Sequence, residues 1–153
     1  MKKNKIKDTG LEVTELSFGT SSLGSMPDTY GYEVSEDRAQ KTLNRFFQGP
    51  VNMLDTSRNY AMGESEKRIG KAIKENGGWP NGFLLSTKLD RNMDTLILDK
   101  NRVRESLEES LKTLNVDSVD ILFLHDPEYA KDITDITKKD GAMDELFKIK
   151  NEG

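Results

Sequence analysis

Three short apolar runs in this chain each end on an ionisable side chain: Asp55, Lys88 and His125. They stand 33 and 37 residues apart, about one strand–helix–strand step each. Side chains of a strand alternate between faces, so Val51, Met53 and Asp55 share a face, as do Leu84, Ser86 and Lys88, and Ile121, Phe123 and His125. Three neighbouring strands can thus aim a carboxylate, an ammonium and an imidazole into one space. A single strand-end charge is ordinarily a residue reaching for solvent; three at matched positions are a pattern. Tyr60 follows Asp55 by five residues, on the loop leaving the same run, where its phenol can reach that space. An ammonium beside a phenol favours the phenolate form. Asp55 can hold Lys88 charged and oriented, and His125 can donate or accept a hydrogen bond at a substrate oxygen. The set suits proton transfer to or from an alcohol or carbonyl oxygen. Spacing alone does not say what happens at the substrate carbon.

The elements that must position these groups are legible as alternating patterns. Strands are expected at Leu16–Gly19, Val51–Asp55, Phe83–Lys88 and Val119–His125, the last two rich in β-formers and apolar on both faces as buried parallel strands are. Between them lie amphipathic stretches. One begins after Ser35, a good N-cap, carries Ala39, Leu43 and Phe46 or Phe47, and stops at Gly49-Pro50. A second spans about Glu64 to Asn76 and ends at Gly77-Gly78; a third runs from about Arg102 to Leu114; a fourth runs from Ala142 to about Asn151. The order βαβαβαβα predicts a parallel sheet with right-handed crossovers. Lys5–Lys7 and Glu12–Thr14, flanking Asp8-Thr9-Gly10-Leu11, predict a small hairpin ahead of it. The long connections, 20–35, 89–100 and 126–141, follow strands, which is where parallel α/β folds carry function.

Composition narrows the chemistry. With 34% hydrophobic and 33% charged residues in 153, the chain is too apolar for a disordered segment, and no run approaches the ~18 apolar residues of a membrane span. It has no cysteine and one histidine, which excludes disulfides, thiol catalysis, Cys-ligated zinc and a multi-His metal site within one chain. The net charge is −4 with both signs interspersed, which argues against a nucleic-acid footprint. The basic start, Met1 to Lys5, is followed by Ile6-Lys7-Asp8-Thr9-Gly10 and not by an apolar core, so no secretory signal is visible. The expectation is one cytoplasmic domain over 1–153.

Four separated segments closely resemble the aldo-keto reductases: Gly19-Thr20, the stretch from Leu54 through Gly70, Ser86-Thr87-Lys88, and the stretch from Ser106 through His125. The resemblance runs from about residue 10 to the end. It implies a catalytic tetrad of Asp55, Tyr60, Lys88 and His125, with Tyr60 as general acid/base, Lys88 and Asp55 tuning it, and His125 orienting the carbonyl. It implies a nicotinamide cofactor, NADP or NAD, along Gly19, Thr20, Ser21 and Asp55, with no metal. His125-Asp126-Pro127-Glu128 is most similar to the branch of sugar dehydrogenases that oxidise an aldose at its anomeric carbon, so the substrate is a small carbonyl compound or a sugar. The implied fold is a TIM (β/α)8 barrel of about 250 residues, of which this chain supplies the N-terminal half: four βα units preceded by a short hairpin. Half a barrel exposes two strand edges and an apolar inner face, so a second copy or a C-terminal half-barrel is expected to cover them.

Two other readings fit the same strands. One is a non-catalytic nucleotide-binding subunit or an inactive truncated fragment; the other is a different barrel enzyme, such as an isomerase, which the four-segment match disfavours. Lesser signals have plainer explanations. Trp79-Pro80 reads as packing opposite the mouth, Asp126 and Glu128 as solvated loop carboxylates, and Lys138-Lys139 as a solvated helix start.

Overall fold

The computed structural model describes residues 1–153. A two-stranded antiparallel hairpin, β1 (Lys3–Lys5) and β2 (Glu12–Thr14), precedes four parallel strands: β3 (Phe18–Gly19), β4 (Met53–Asp55), β5 (Leu84–Leu89) and β6 (Ile121–Leu124). The parallel sheet keeps chain order, β3-β4-β5-β6. Helices α2 (Glu36–Phe47), α3 (Glu64–Glu75) and α4 (Lys100–Leu114) make the crossovers, and α6 (Ala142–Glu152) follows β6. Two single-turn helices, α1 (Pro27–Tyr30) and α5 (Thr134–Thr137), lie in the first and last long loops. The expected order is therefore the observed one, with strand ends trimmed except at β5, which runs one residue further, to Leu89.

The trimming has local causes. The first hairpin strand is Lys3–Lys5 and not Lys5–Lys7, because Lys7–Thr9 is taken into a 3-10 turn closed by Gly10 at φ 78°. Leu16 is 61% exposed and outside β3, and Val119 lies ahead of β6. His125 is just past β6, yet its N–H still donates to the Leu89 carbonyl at 3.0 Å, so the ladder carries one step further than the strand. Lys138 does not start a helix: it is the extended residue that ends α5.

The two faces of the sheet part by residue type. Leu54, Leu85 and Leu89 point to the helices and are essentially fully buried. Leu54 and Leu85 join Ala39, Leu43, Phe46, Ile69, Ile73 and Leu114 in one core; Leu89 joins Leu98, Val103, Ile136 and Ala142 in a second. Each such leucine contributes roughly 1.5–3 kcal/mol. On the opposite face stand Met53, Asp55, Ser86, Lys88, Ile121 and Phe123, and Phe123 is 49% exposed. β3 and β6 are the outer strands.

Capping sets the helix starts. Ser35 accepts the Arg38 N–H at 3.2 Å, and Asp99 accepts the Arg102 N–H at 2.9 Å, so α4 begins at Lys100, two residues before the pattern suggests. The hairpin is fastened beneath β4 by Asn52, whose side chain accepts from the Thr14 N–H and donates to the Glu12 and Gly82 carbonyls. Trp79 packs edge-on against Phe47 and Phe83 and donates to the Phe83 carbonyl, a packing role as read from the sequence.

Candidate active site

The strand register brings the polar groups together. Gly19 pairs with Asp55, Asp55 with Ser86, and Lys88 with Phe123, so the carboxyl ends of four adjacent strands form one ledge. Lys88 Nζ donates to Asp55 Oδ2 at 2.8 Å and to the Thr56 carbonyl at 2.7 Å. Ser86 Oγ donates to the other Asp55 oxygen at 2.9 Å. The pair is only 14% and 27% exposed, so both charges are largely withdrawn from water and each leans on the other.

Tyr60 opens a 3-10 turn, Tyr60–Gly63, in which Ala61 and Met62 both take left-handed backbone (φ 52° and 55°). Non-glycine residues resist that region by about 1–2 kcal/mol each. Gly63, at φ +92°, closes the turn where a Cβ would strike the Arg58 guanidinium. This constrained turn lays the phenol ring over the ledge. Lys88 Nζ sits 4.6 Å from the ring centroid, and the His125 ring meets it edge-on at 5.6 Å. The ammonium faces the ring's π surface, where a cation is attracted. All four residues of the expected tetrad thus meet in one place.

The residues at the first strand's end divide. Gly19 has nothing within 4 Å of where a Cβ would be, an open shelf beside Asp55 on which a flat ligand can approach the backbone. Ser21 Oγ is hydrogen bonded to the Tyr30 hydroxyl at 2.5 Å. Thr20 is buried, and its hydroxyl donates to the Asp55 carbonyl at 2.9 Å. Thr20 therefore clasps β3 to β4, and its side chain is already engaged.

Sequence reasoning missed Asp90. Two residues past Lys88 and 2% exposed, it is 2.5 Å from His125 Nδ1 through Oδ1. Its Oδ2 accepts from Ser57 Oγ at 2.9 Å and from the Asn59 N–H at 3.1 Å. Its backbone is also pinned: the N–H donates to Ser106 Oγ and the carbonyl accepts from Arg102 Nε. Its signal is the alternation it shares with Ser86 and Lys88, one residue past the end of the strand at Leu89. Asp126, half-exposed, stands 3.8 Å from His125 Nε2 and so faces the site more closely than a solvated loop carboxylate would.

Behind β5, Glu66 is fully buried and accepts from Thr87 Oγ1 at 2.7 Å. Burial pushes its carboxyl above the usual range, while the Thr87 hydroxyl pulls the other way. It lies on the helix side of the sheet, away from the ledge.

A parallel sheet wrapped by crossover helices, with its polar groups gathered at the strands' carboxyl ends, defines a partial (β/α) barrel of the kind that hosts enzymes at that face. Residues 15–153 match the Aldo/keto reductase family, and the chain belongs to it. L-galactose dehydrogenase of Arabidopsis thaliana is 36% identical over 146 residues, which is 95% of this chain and 44% of that protein. Aldo-keto reductase YhdN of Bacillus subtilis (strain 168) is 33% identical over 131 residues, 84% of this chain and 39% of that protein. Among solved structures, the holo form of aldo-keto reductase AKR11C1 from Bacillus halodurans superimposes with a TM-score of 0.73 at 26% identity, covering all of this chain and 47% of that one. The chain spans less than half the length of these relatives.

Proposed function

We propose that this chain carries the proton-transfer half of an NAD(P)-dependent oxidoreductase acting on a carbonyl/alcohol or aldose substrate, within a single partial-barrel domain over 1–153. The observation that supports this is the convergence of Asp55, Lys88, Tyr60 and His125 on one ledge. In this reading Tyr60 exchanges a proton with the substrate oxygen. Lys88, held by Asp55 and the Thr56 carbonyl, stabilises the phenolate left behind. His125 orients the oxygen. Gly19 and Asp55 would lie along the cofactor directly; Ser21 would do so on leaving Tyr30, and Thr20 would shape the turn through its backbone. A bound nicotinamide, NADP or NAD, would supply the two-electron exchange with the substrate carbon. The likeness to L-galactose dehydrogenase favours a sugar hydroxyl as the reacting group.

The exposed Phe123 and the outer strands β3 and β6 favour a covering partner, either a C-terminal half-barrel or a second copy. No helix is long and apolar enough to cross a membrane, and the absence of cysteines fits a cytoplasmic setting.

The test is a titration with NADPH followed by the nicotinamide's own fluorescence, then turnover of aldehydes and aldoses in both directions. Binding by wild type and by Tyr60→Phe, with kcat of the variant lower by roughly 10²–10⁴-fold, is expected. Absence of nucleotide binding, or near-normal turnover by Tyr60→Phe, would overturn the proposal.

A further inference from the structure

From the Asp90–His125 contact we infer that Asp90 is a positioning residue that fixes the His125 proton on Nδ1, leaving Nε2 as a hydrogen-bond acceptor toward the ledge, so that the site is built to orient a hydroxyl. The inference rests on the oxidoreductase reading for its substrate class, and on geometry alone for the state of the ring.

The geometry leaves little freedom. Asp90 Oδ1 lies 2.5 Å from Nδ1, and a carboxylate can only accept, so Nδ1 must carry the hydrogen. Oδ2 is occupied by two donors, Ser57 Oγ and the Asn59 N–H, which stop the carboxylate from rotating. Asp90 is buried, so water does not compete for its oxygens. A neutral imidazole has one N–H; with that committed inward, Nε2 presents a lone pair. Such a ring cannot donate to a substrate carbonyl, but it can accept from an alcohol or hemiacetal hydroxyl. It holds such a hydroxyl by accepting its hydrogen bond, and the proton exchange at the reacting oxygen stays with Tyr60. Asp126, half-exposed, faces Nε2 at 3.8 Å. Other charged or titratable groups at this ledge are Tyr60, whose ring meets the His125 ring edge-on, and the Lys88–Asp55 pair beneath it.

His125 is the chain's one histidine, so its ring nitrogens can be read without assignment ambiguity. The experiment is long-range 1H–15N correlation on protein labelled with 15N-histidine, at a pH where the ring is neutral. Wild type is expected as the Nδ1–H tautomer. In Asp90→Asn the donors at Oδ2 keep the amide oxygen on their side, so the amide NH2 faces Nδ1 and the ring should change to Nε2–H. Ser57 Oγ also lies 3.0 Å from Nδ1, and since its hydrogen goes to Asp90 Oδ2 it can only accept there; Ser57→Ala removes that weaker contact, spares the Asp90–His125 one and should keep Nδ1–H. With the holo protein, Asp90→Asn should lower kcat for alcohol oxidation by ~10²-fold or more, with little change in KM, as misorientation of the reacting hydroxyl does. An Nε2–H ring in wild type, or Nδ1–H retained in Asp90→Asn, overturns the inference; the wild-type spectrum needs no variant to fold. Failure of nucleotide binding would overturn the proposed function and leave the tautomer result standing.

Discussion

Gly70 sits in the middle of α3, where the general rule says alanine is better. Replacing an exposed mid-helix glycine with alanine gains about 0.8–1.0 kcal/mol of helix propensity. At this site a Cβ would lie 2.0 Å from the Thr113 carbonyl oxygen and 3.0–3.1 Å from the Thr113 and Leu114 carbonyl carbons. Ordinary contact begins near 3.4 Å, so α3 would have to retreat from the end of α4 by more than 1 Å. The obstacle is backbone, not a flexible side chain. The retreat would open space beside Ile69, Ile73 and Leu114, none of which is exposed at all. Overpacking of this sort costs about 1–3 kcal/mol, and a backbone clash belongs at the upper end. Subtracting the propensity gain leaves Gly70→Ala destabilised by ~1–2 kcal/mol, or roughly 2–8 °C in Tm for a chain of this size. Urea unfolding followed by circular dichroism and by the fluorescence of Trp79 measures it, with Lys67→Ala, which replaces an exposed residue on the same helix, as the control. A Gly70→Ala protein as stable as wild type, or more so, would show that propensity outweighs the α3–α4 contact and would refute the packing argument.

Two further outcomes follow from buried and capping groups. Because burial raises the Glu66 carboxyl, its contribution to stability is fully present below the unfolded value near 4.5 and is lost as pH rises through the raised folded value; Glu66→Gln keeps the Thr87 hydroxyl's acceptor and should therefore gain on wild type as pH climbs from about 4.5 toward neutrality, and parallel stability–pH curves would contradict this. Ser35→Ala removes the acceptor for the Arg38 N–H at the start of α2 and should cost about 1 kcal/mol, read from the same urea midpoints, with no change expected in nucleotide binding.

How far residue patterns reach is plain from particular positions. The adjacency of Asp55, Lys88 and His125 is legible because a parallel sheet converts equal spacing along the chain into neighbours across it, and alternation puts Asp55 and Lys88 on one face. The helices were legible because their apolar stripes and caps are local. Strand lengths were not: Val51 and Val119 are apolar and β-favouring, yet pairing depends on what neighbouring strands offer. The left-handed turn after Tyr60 was also hidden, since Ala61 and Met62 carry no preference for it. It is imposed by Gly63, the Arg58 guanidinium behind it and the α3 start.

Asp90 shows why a site's second layer is harder to see than its first. Read along the chain it is one more carboxylate after an apolar run, among 27 acidic residues. Its meaning comes from three segments meeting: Ser57 and Asn59 from the loop after β4, His125 from the end of β6, and Ser106 and Arg102 from α4. Each contact spends one lone pair or one proton, and together they leave the carboxylate a single task, holding the imidazole N–H. A charge buried to that degree must be matched by donors or it would destabilise the fold. The donors that neutralise it also aim it. The requirement that the fold satisfy a buried charge and the requirement that the ring be held in one tautomer are met by the same atoms.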